Sequence, residues 1–359
     1  MAYGTINADV IGTSVANTSL GAGNASIMKN RIINGAMVID QRNAGASVTP
    51  TADPTYTIDR WAVGLSQASK FSVQQVSTAP IGFVNSLKFT SLAATSLGAS
   101  DYFTFQQSIE GFNISDLGWG TANAKTVTLS FQVYSSLTGT FGGSLINGSV
   151  NRSYPFTYSI PVANTWTTIS ITVAGDTAGT WATNNTTGII VMFGLGVGTS
   201  GSGTAGSWAG TLYRSATGAT SVVGTNGATF NITGVQLEVG SSATGFEYRQ
   251  YGTELALCQR YYEILGVNNA SARSFFVDIY ANATNIPSAS MLWRFSVTKR
   301  SAATVATIGT FTTNNITGAV GVDGTPSFDS ATINANPAGA GRAYFFNNAN
   351  SGFYASSEL

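Results

Sequence analysis

Several stretches of this chain alternate apolar and polar residues with a period of two, a pattern that suits a strand and not a helix. Residues 126–134 read T-V-T-L-S-F-Q-V-Y, which puts Val127, Leu129, Phe131 and Val133 on one face. Residues 71–76 alternate in the same way. Trp166, Ile169, Ile171 and Val173 form a similar stripe, and Phe230, Ile232, Val235, Leu237 and Val239 another, with Gly234 marking an expected bulge. Successive side chains of a strand point to opposite faces, so each stripe delivers its apolar members into one core. Residues 188–195 are instead a continuous apolar run, the pattern of a strand buried on both faces. Turn signals separate these runs: Asn147-Gly148, Gly175-Asp176, Asn226-Gly227 and the Gly/Ser-rich stretch 196–210. Many short strands with turns between them predict an all-β chain, with a jelly-roll β-sandwich over about residues 30–250.

The flanks differ. Residues 1–29 are small, polar and punctuated by glycine, with isolated apolar residues at Ile6, Val10, Ile11, Leu20 and Ile27 and no heptad. Too little apolar surface is present to fold alone. The expectation is an extended attachment arm that packs against something else; the alternative is an unstructured leader. In residues 254–265, Leu255, Cys258, Tyr262 and Leu265 recur at helical spacing and Gly266 follows as a cap, so a linker helix is expected over 251–266. Cys258 falls on that apolar stripe and reads as a packed thiol. Residues 267–359 return to strand patterns, at 274–280, 291–297, 303–311 and 342–346, with a turn at Asp323-Gly324. They predict a second, smaller β-sandwich domain, taken as the exposed end. A length of 359 residues suits two domains.

Charge and chemistry narrow the function mostly by exclusion. Only 9% of residues are charged and the net charge is zero, so the clustered basic surface that nucleic acid requires is missing. The densest basic group, Arg294, Lys299 and Arg300, reads as a solvated strand face. No apolar stretch reaches the roughly 18 residues of a membrane span, and the first residues lack a signal-peptide pattern. The chain is therefore expected to be made in a cytoplasm, and to reach the outside by another route, such as lysis with a virus particle. The sequence contains no histidine and a single cysteine, which removes His-based triads, His zinc sites, thiolate clusters and disulfides within the chain. Glycoside hydrolysis by paired carboxylates is the one enzymology left, with Asp101, Glu110, Asp116, Asp176, Glu238 and Glu247 as candidates that nothing in the sequence pairs. The chain is expected not to be an enzyme.

Binding is the stronger reading. Trp119, Trp181 and Trp208 each sit in Gly/Ser/Thr/Asn-rich segments. A loop tryptophan is either an exposed platform for a sugar ring or a plug over the core. Trp61 and Trp166 read as core. Asp59 and Glu238 are taken as two hard oxygen ligands for a calcium ion; no other cofactor is expected.

Six segments carry a resemblance: residues 29–43 (KNRIINGAMVIDQRN), 56–61 (YTIDRW), 106–113 (QQSIEGFN), 234–240 (GVQLEVG), 246–249 (FEYR) and 254–262 (ELALCQRYY). Together they resemble a family of phage tail-fibre or tail-associated proteins whose central domain is similar to a carbohydrate-binding-module jelly roll. The resemblance implies a virion-surface structural protein, commonly a homotrimer, that contacts other virion proteins and host-surface glycans. A short arm before the jelly roll departs from long fibres. A short appendage or a capsid or neck decoration without a receptor therefore stays open, as does a polysaccharide depolymerase.

Overall fold

The structure, a computed structural model, describes residues 28–266, 275–281 and 289–359. The arm residues Ile6, Val10, Ile11 and Leu20 lie outside the described residues. The first domain contains β1 (Thr55–Ile58), β2 (Trp61–Leu65), β3 (Phe71–Val76), β4 (Ser86–Ser91), β5 (Tyr102–Glu110), β6 (Val127–Ser135), β7 (Gly139–Asn147), β8 (Ser153–Ile160), β9 (Thr167–Val173), β10 (Thr187–Val197), the two-residue strands β11 (Ser202–Gly203) and β12 (Ser215–Ala216), and β13 (Thr229–Val239). Five strands form one sheet in the order β3-β4-β13-β6-β9, and six form the other in the order β1-β2-β5-β10-β7-β8. The chain is all-β, and this domain is a jelly-roll sandwich.

The alternating stripes face each other between the two sheets, as their period requires. Phe105 and Phe193 stack with centroids 4.8 Å apart, and Phe89 stacks on Phe105 at 4.6 Å. Trp61 is fully buried beside them. The expected bulge is present: the register of β13 against β6 shifts between Thr233 and Gln236, and Gly234 has φ +63°. A side chain there would also strike the Phe83 ring. β10 is buried on both faces, because its outer side is partly roofed by the segment carrying β11 and β12. Trp166 departs from expectation. It is half-buried against Tyr134, since it precedes β9 and stands out of phase with Ile169, Ile171 and Val173.

Residues 29–43 form no strand, yet they are held by buried amides. Asn30 donates to the Val235 carbonyl and accepts from Leu237 N. Gln107 both donates to and accepts from the Ile33 backbone. Asn34, with φ +56°, accepts from the N–H groups of Val38 and Ile39 and donates to the carbonyls of Ile39 and Asp59. Each amide supplies partners that a strand neighbour would otherwise provide.

The helix α1 spans Tyr251–Gln259 only. The second half of the expected helix is a strand, β14 (Tyr262–Leu265), which begins the second domain. That domain continues through β15 (Phe276–Ala281), β16 (Ala289–Arg294), β17 (Thr304–Ile308), β18 (Phe311–Asn314), β19 (Ile316–Asp323), β20 (Ser330–Pro337), β21 (Gly341–Asn347) and β22 (Gly352–Ser356). Three antiparallel sheets of three strands each, β14-β22-β17, β15-β21-β18 and β16-β20-β19, enclose one core containing Trp293, Ile333, Phe345 and Phe353.

Scarce charge is concentrated where the two domains meet. Arg60, 1% exposed, pairs with Glu358 and holds its guanidinium 3.5 Å from the centroid of the Tyr261 ring. Arg42 also pairs with Glu358, at 2.6 Å, and lies 3.6 Å from the Tyr262 ring. Arg260 grips Glu110 through two nitrogens, and Tyr261 donates to the same carboxylate. The basic group read as a solvated face is split. Arg294 is exposed, but Lys299 is buried against Glu263 at 2.6 Å, and Arg300 donates to the carbonyls of Asn185, Ser357 and Glu358. Buried cations persist only when paired and hydrogen-bonded.

Candidate functional site

The six-stranded sheet has two unlike faces. Inward rungs carry large rings, as in Val63-Phe105-Phe193, while outward rungs carry small or polar residues. One outward rung is Gly64-Thr104-Gly194, and the next is Ala62-Gln106-Met192-Ser144. A Cβ on Gly64 would come within 2.8 Å of Thr104 Oγ1, and one on Gly194 within 2.8 Å of Ser215 Oγ. The glycines therefore keep the outer face low. The roofing segment covers part of this face, seating Leu212 against Ile146, Ile190 and Met192. A cleft of about 200 Å³ lies along its edge, sharing these residues as a wall.

Asp53, Tyr102, Thr104, Gln106, Met192 and Arg214 define the cleft chemically. The Tyr102 phenol donates to Asp53 Oδ2, and the Arg214 guanidinium lies 4.2 Å from the Tyr102 ring centroid. The hydrogen bond to Asp53, reinforced by partial burial, holds the Tyr102 hydroxyl above its usual pKa. Arg214 is thus placed by a ring and not by an ion pair. Among the described residues, the Gln106 amide and the Arg214 guanidinium have no hydrogen-bonding partner in the protein, and the buried hydroxyls of Ser144 and Ser215 have none either. Polar groups without partners on a sheltered face are costly unless a ligand or solvent satisfies them. Ile146, Ile190 and Leu212 give the same cleft an apolar wall. The arrangement suits a neutral polyhydroxylated molecule, with hydroxyls to the amide and guanidinium and C–H faces to the wall.

The three loop tryptophans come together elsewhere. Their rings meet edge to face, with centroids 4.7 Å apart for Trp119–Trp181, 5.3 Å for Trp119–Trp208 and 5.4 Å for Trp181–Trp208. Each indole N–H is engaged by a backbone carbonyl: Lys125 for Trp119, Ala178 for Trp181 and Ala174 for Trp208. Trp119 and Trp181 are buried, and Trp208, half-buried, closes the cluster against Tyr154. They plug the core and pin three loops, so the platform alternative fails for the two buried rings.

The structure gives Asp59 and Glu238, the expected calcium ligands, separate surroundings. Asp59 accepts from the backbone and side-chain nitrogens of Gln41, both at 2.7 Å. Glu238 accepts from Gln236, from Thr244 N and from Thr244 Oγ1. Both carboxylates are ringed by donors, and they have no partner in common. Among the described residues no group of three or more acidic, cysteine or histidine residues is placed to hold a metal. The candidate catalytic carboxylates are also engaged: Asp101 by Ser66, Gln67 and Gly98, Glu110 at the domain junction, Asp116 by Arg31, Asp176 by Arg152, and Glu247 by the Asn30 backbone. For Glu110, burial is outweighed by the bonds from Arg260 and Tyr261, which hold its carboxyl below the usual range.

The sequence reading missed the cleft residues. A signal was available in residues 102–109, Y-F-T-F-Q-Q-S-I, where Phe103 and Phe105 alternate with Thr104 and Gln106. Arg214 and Asp53 reach the cleft from loops, where no period points.

No protein-family profile matches the chain, and no curated protein matches it. Among solved structures it is similar to the enzymatically active domain of tailspike protein 4 of bacteriophage CBA120, at 12% identity and a TM-score of 0.33, covering 59% of this chain and 22% of that one. It is also similar to a family 11 carbohydrate-binding module from Clostridium thermocellum in complex with a mixed-linked tetrasaccharide, at 12% identity and a TM-score of 0.30, covering 55% of this chain and 98% of that one. A family 22 xylan-binding domain from Paenibacillus barcinonensis matches at 10% identity and a TM-score of 0.27, covering 56% and 99%. With TM-scores this low, the likenesses decide neither fold nor function.

Proposed function

We propose that this chain is a non-enzymatic, carbohydrate-binding structural protein of a virus surface, a tail fibre or short appendage that attaches to host glycans through the cleft on its six-stranded sheet. The observation that carries the binding part is the set of polar groups in that cleft, the Gln106 amide and the Arg214 guanidinium, that lack hydrogen-bonding partners among the described residues. What sets these groups apart is that they converge with a carboxylate, a ring and an apolar wall in one concavity, which favours a ligand. Asp53 is the only carboxylate among the described residues lining the cleft. Hydrolysis by a carboxylate pair needs two, so binding without turnover is the better reading. The appendage part rests on the six segments that resemble tail-associated proteins, and a homotrimer belongs to the same reading.

The test is a glycan array probed with the full chain and with Arg214→Ala and Gln106→Ala. Binding by the full chain, weakened at least about tenfold by Arg214→Ala as loss of a charged hydrogen bond predicts, supports the reading. Binding unchanged in both variants moves the site elsewhere, and no binding to any glycan leaves decoration of the particle as the function. Light scattering tests the trimer, which a monomeric mass for the full chain excludes.

A further inference from the structure

A second concavity, larger and chemically different, lies between residues 30–38, residues 82–85 and residues 246–254. It has a volume of about 370 Å³ and is lined chiefly by Val38, Phe83, Val84, Phe246, Tyr248 and Tyr251. Phe83, Phe246 and Tyr248 form a closed triangle of rings with centroids 4.9–5.4 Å apart. Val84, Tyr248 and Tyr251 are 67%, 59% and 64% exposed, and Ile81 nearby is fully exposed. Its charged lining groups are already engaged. Glu247 accepts from Met28 N and Asn30 N, Arg249 donates to the carbonyls of Asn30 and Ile32, and Glu254 accepts from Asn34 N. What remains to be covered is apolar and aromatic, unlike the polar cleft.

The chain's own N-terminal segment is tethered beside this groove. Asn30 lines the groove, and the Met28 backbone is tied to Glu247 on its rim. The 27 residues before it therefore join the body at the groove's edge. Their sequence offers isolated apolar side chains, with Leu20 and Ile27 nearest, separated by G-A-G-N-A-S. Leu20 is eight residues from Met28, and an extended chain covers roughly 3.3 Å per residue, so it reaches anywhere in a groove of this size. A tethered segment meets its own groove at an effective concentration on the order of millimolar, which favours it over a free partner.

We propose that the groove is the docking site for the chain's own segment 1–27, with Leu20 and Ile27 as the apolar anchors. Docking covers the exposed rings and fixes the direction in which the rest of the arm leaves the body.

The test uses the full chain with a benzophenone amino acid in place of Val84, and a second version in place of Tyr251, both exposed positions that tolerate a larger side chain. Unlabelled and 15N-labelled chains are mixed, irradiated, digested and mapped by mass spectrometry. The expected result is cross-linking to peptides within residues 1–27, with both halves of each product carrying the same isotope label. Leu20→Asp should lower that yield about tenfold or more, the change expected for losing one buried leucine. Products joining the two labels would overturn the proposal by assigning the groove to a second copy. Cross-links confined to other segments, or absent from residues 1–27 in both versions, would overturn it as well.

Discussion

Arg60 illustrates how this chain uses a charge. Its guanidinium is buried, stacked on Tyr261, paired with Glu358 and bonded to the Ser108 carbonyl. Removing one member of such a pair leaves an uncompensated buried charge. Glu358→Ala is therefore expected to cost about 3–5 kcal/mol in denaturant unfolding. Asp278→Ala, which breaks the exposed pair with Arg342, is expected to leave the unfolding midpoint almost unchanged. Equal costs would mean that burial at the junction is not what matters. Asp59 carries a pH signature. Burial, only partly offset by Arg42 and the Gln41 hydrogen bonds, pushes its pKa up to about 6 from an ordinary 3.8. Its folded state thus takes up a proton more readily than its unfolded state. The stability this contributes is fully present below about pH 4 and is lost as pH rises through about 6. A carbon-detected NMR titration should place Asp59 near pH 6, and a midpoint near 4 would contradict the burial argument. None of this was legible beforehand. Lys299 and Arg300 look like a solvated face because their partners, Glu263 and the carbonyls of Asn185, Ser357 and Glu358, are 36 residues or more away in sequence.

At the scale of elements, the stripes at 71–76, 126–134 and 230–239 appear as β3, β6 and β13, since period two has only one structural solution when one face is buried. The helix fared less well. Leu255, Cys258, Tyr262 and Leu265 fit a helical spacing, but Tyr262–Leu265 pairs with β22 as a strand. Its alternation is hidden because Glu263 is buried against Lys299, where an apolar residue would have been the signal. The tryptophan cluster and the cleft separate stability from binding. Trp119→Ala should cost about 3–5 kcal/mol, as loss of a large buried ring does, and leave glycan affinity of the folded protein unchanged. Arg214→Ala should do the reverse, with an unchanged unfolding midpoint. Calorimetry and binding on the same two variants check both, and a loss of affinity in Trp119→Ala without loss of stability would return the tryptophans to the binding site.

Taken whole, the molecule is two β-domains joined by buried ion pairs, and the six segments of the resemblance converge on that joint and on the start of the jelly roll. Asn30, Asn34, Asp59, Trp61, Gln107, Glu110, Arg249, Glu254, Arg260 and Tyr261 all belong to them, and they bond to one another. The resemblance is thus legible as architecture, while the cleft on the outer sheet lies largely outside it, with Gln106 as the exception. Arg60 and Glu358 are 298 residues apart in sequence, and so strong a joint predicts that both domains unfold in one calorimetric transition. Two resolved transitions would show that the domains are independent. The central claim, that the outer cleft binds sugar, is tested most directly by methyl NMR of the full chain labelled at methionine. Met192 lies in the cleft, whereas the Met28 backbone is bonded to Glu247 and Met291 lies in β16 of the second domain. Titration with an array-selected oligosaccharide should shift the Met192 methyl signal and leave Met28 and Met291 in place. A shift at Met291 or Met28 with Met192 unmoved would contradict the account.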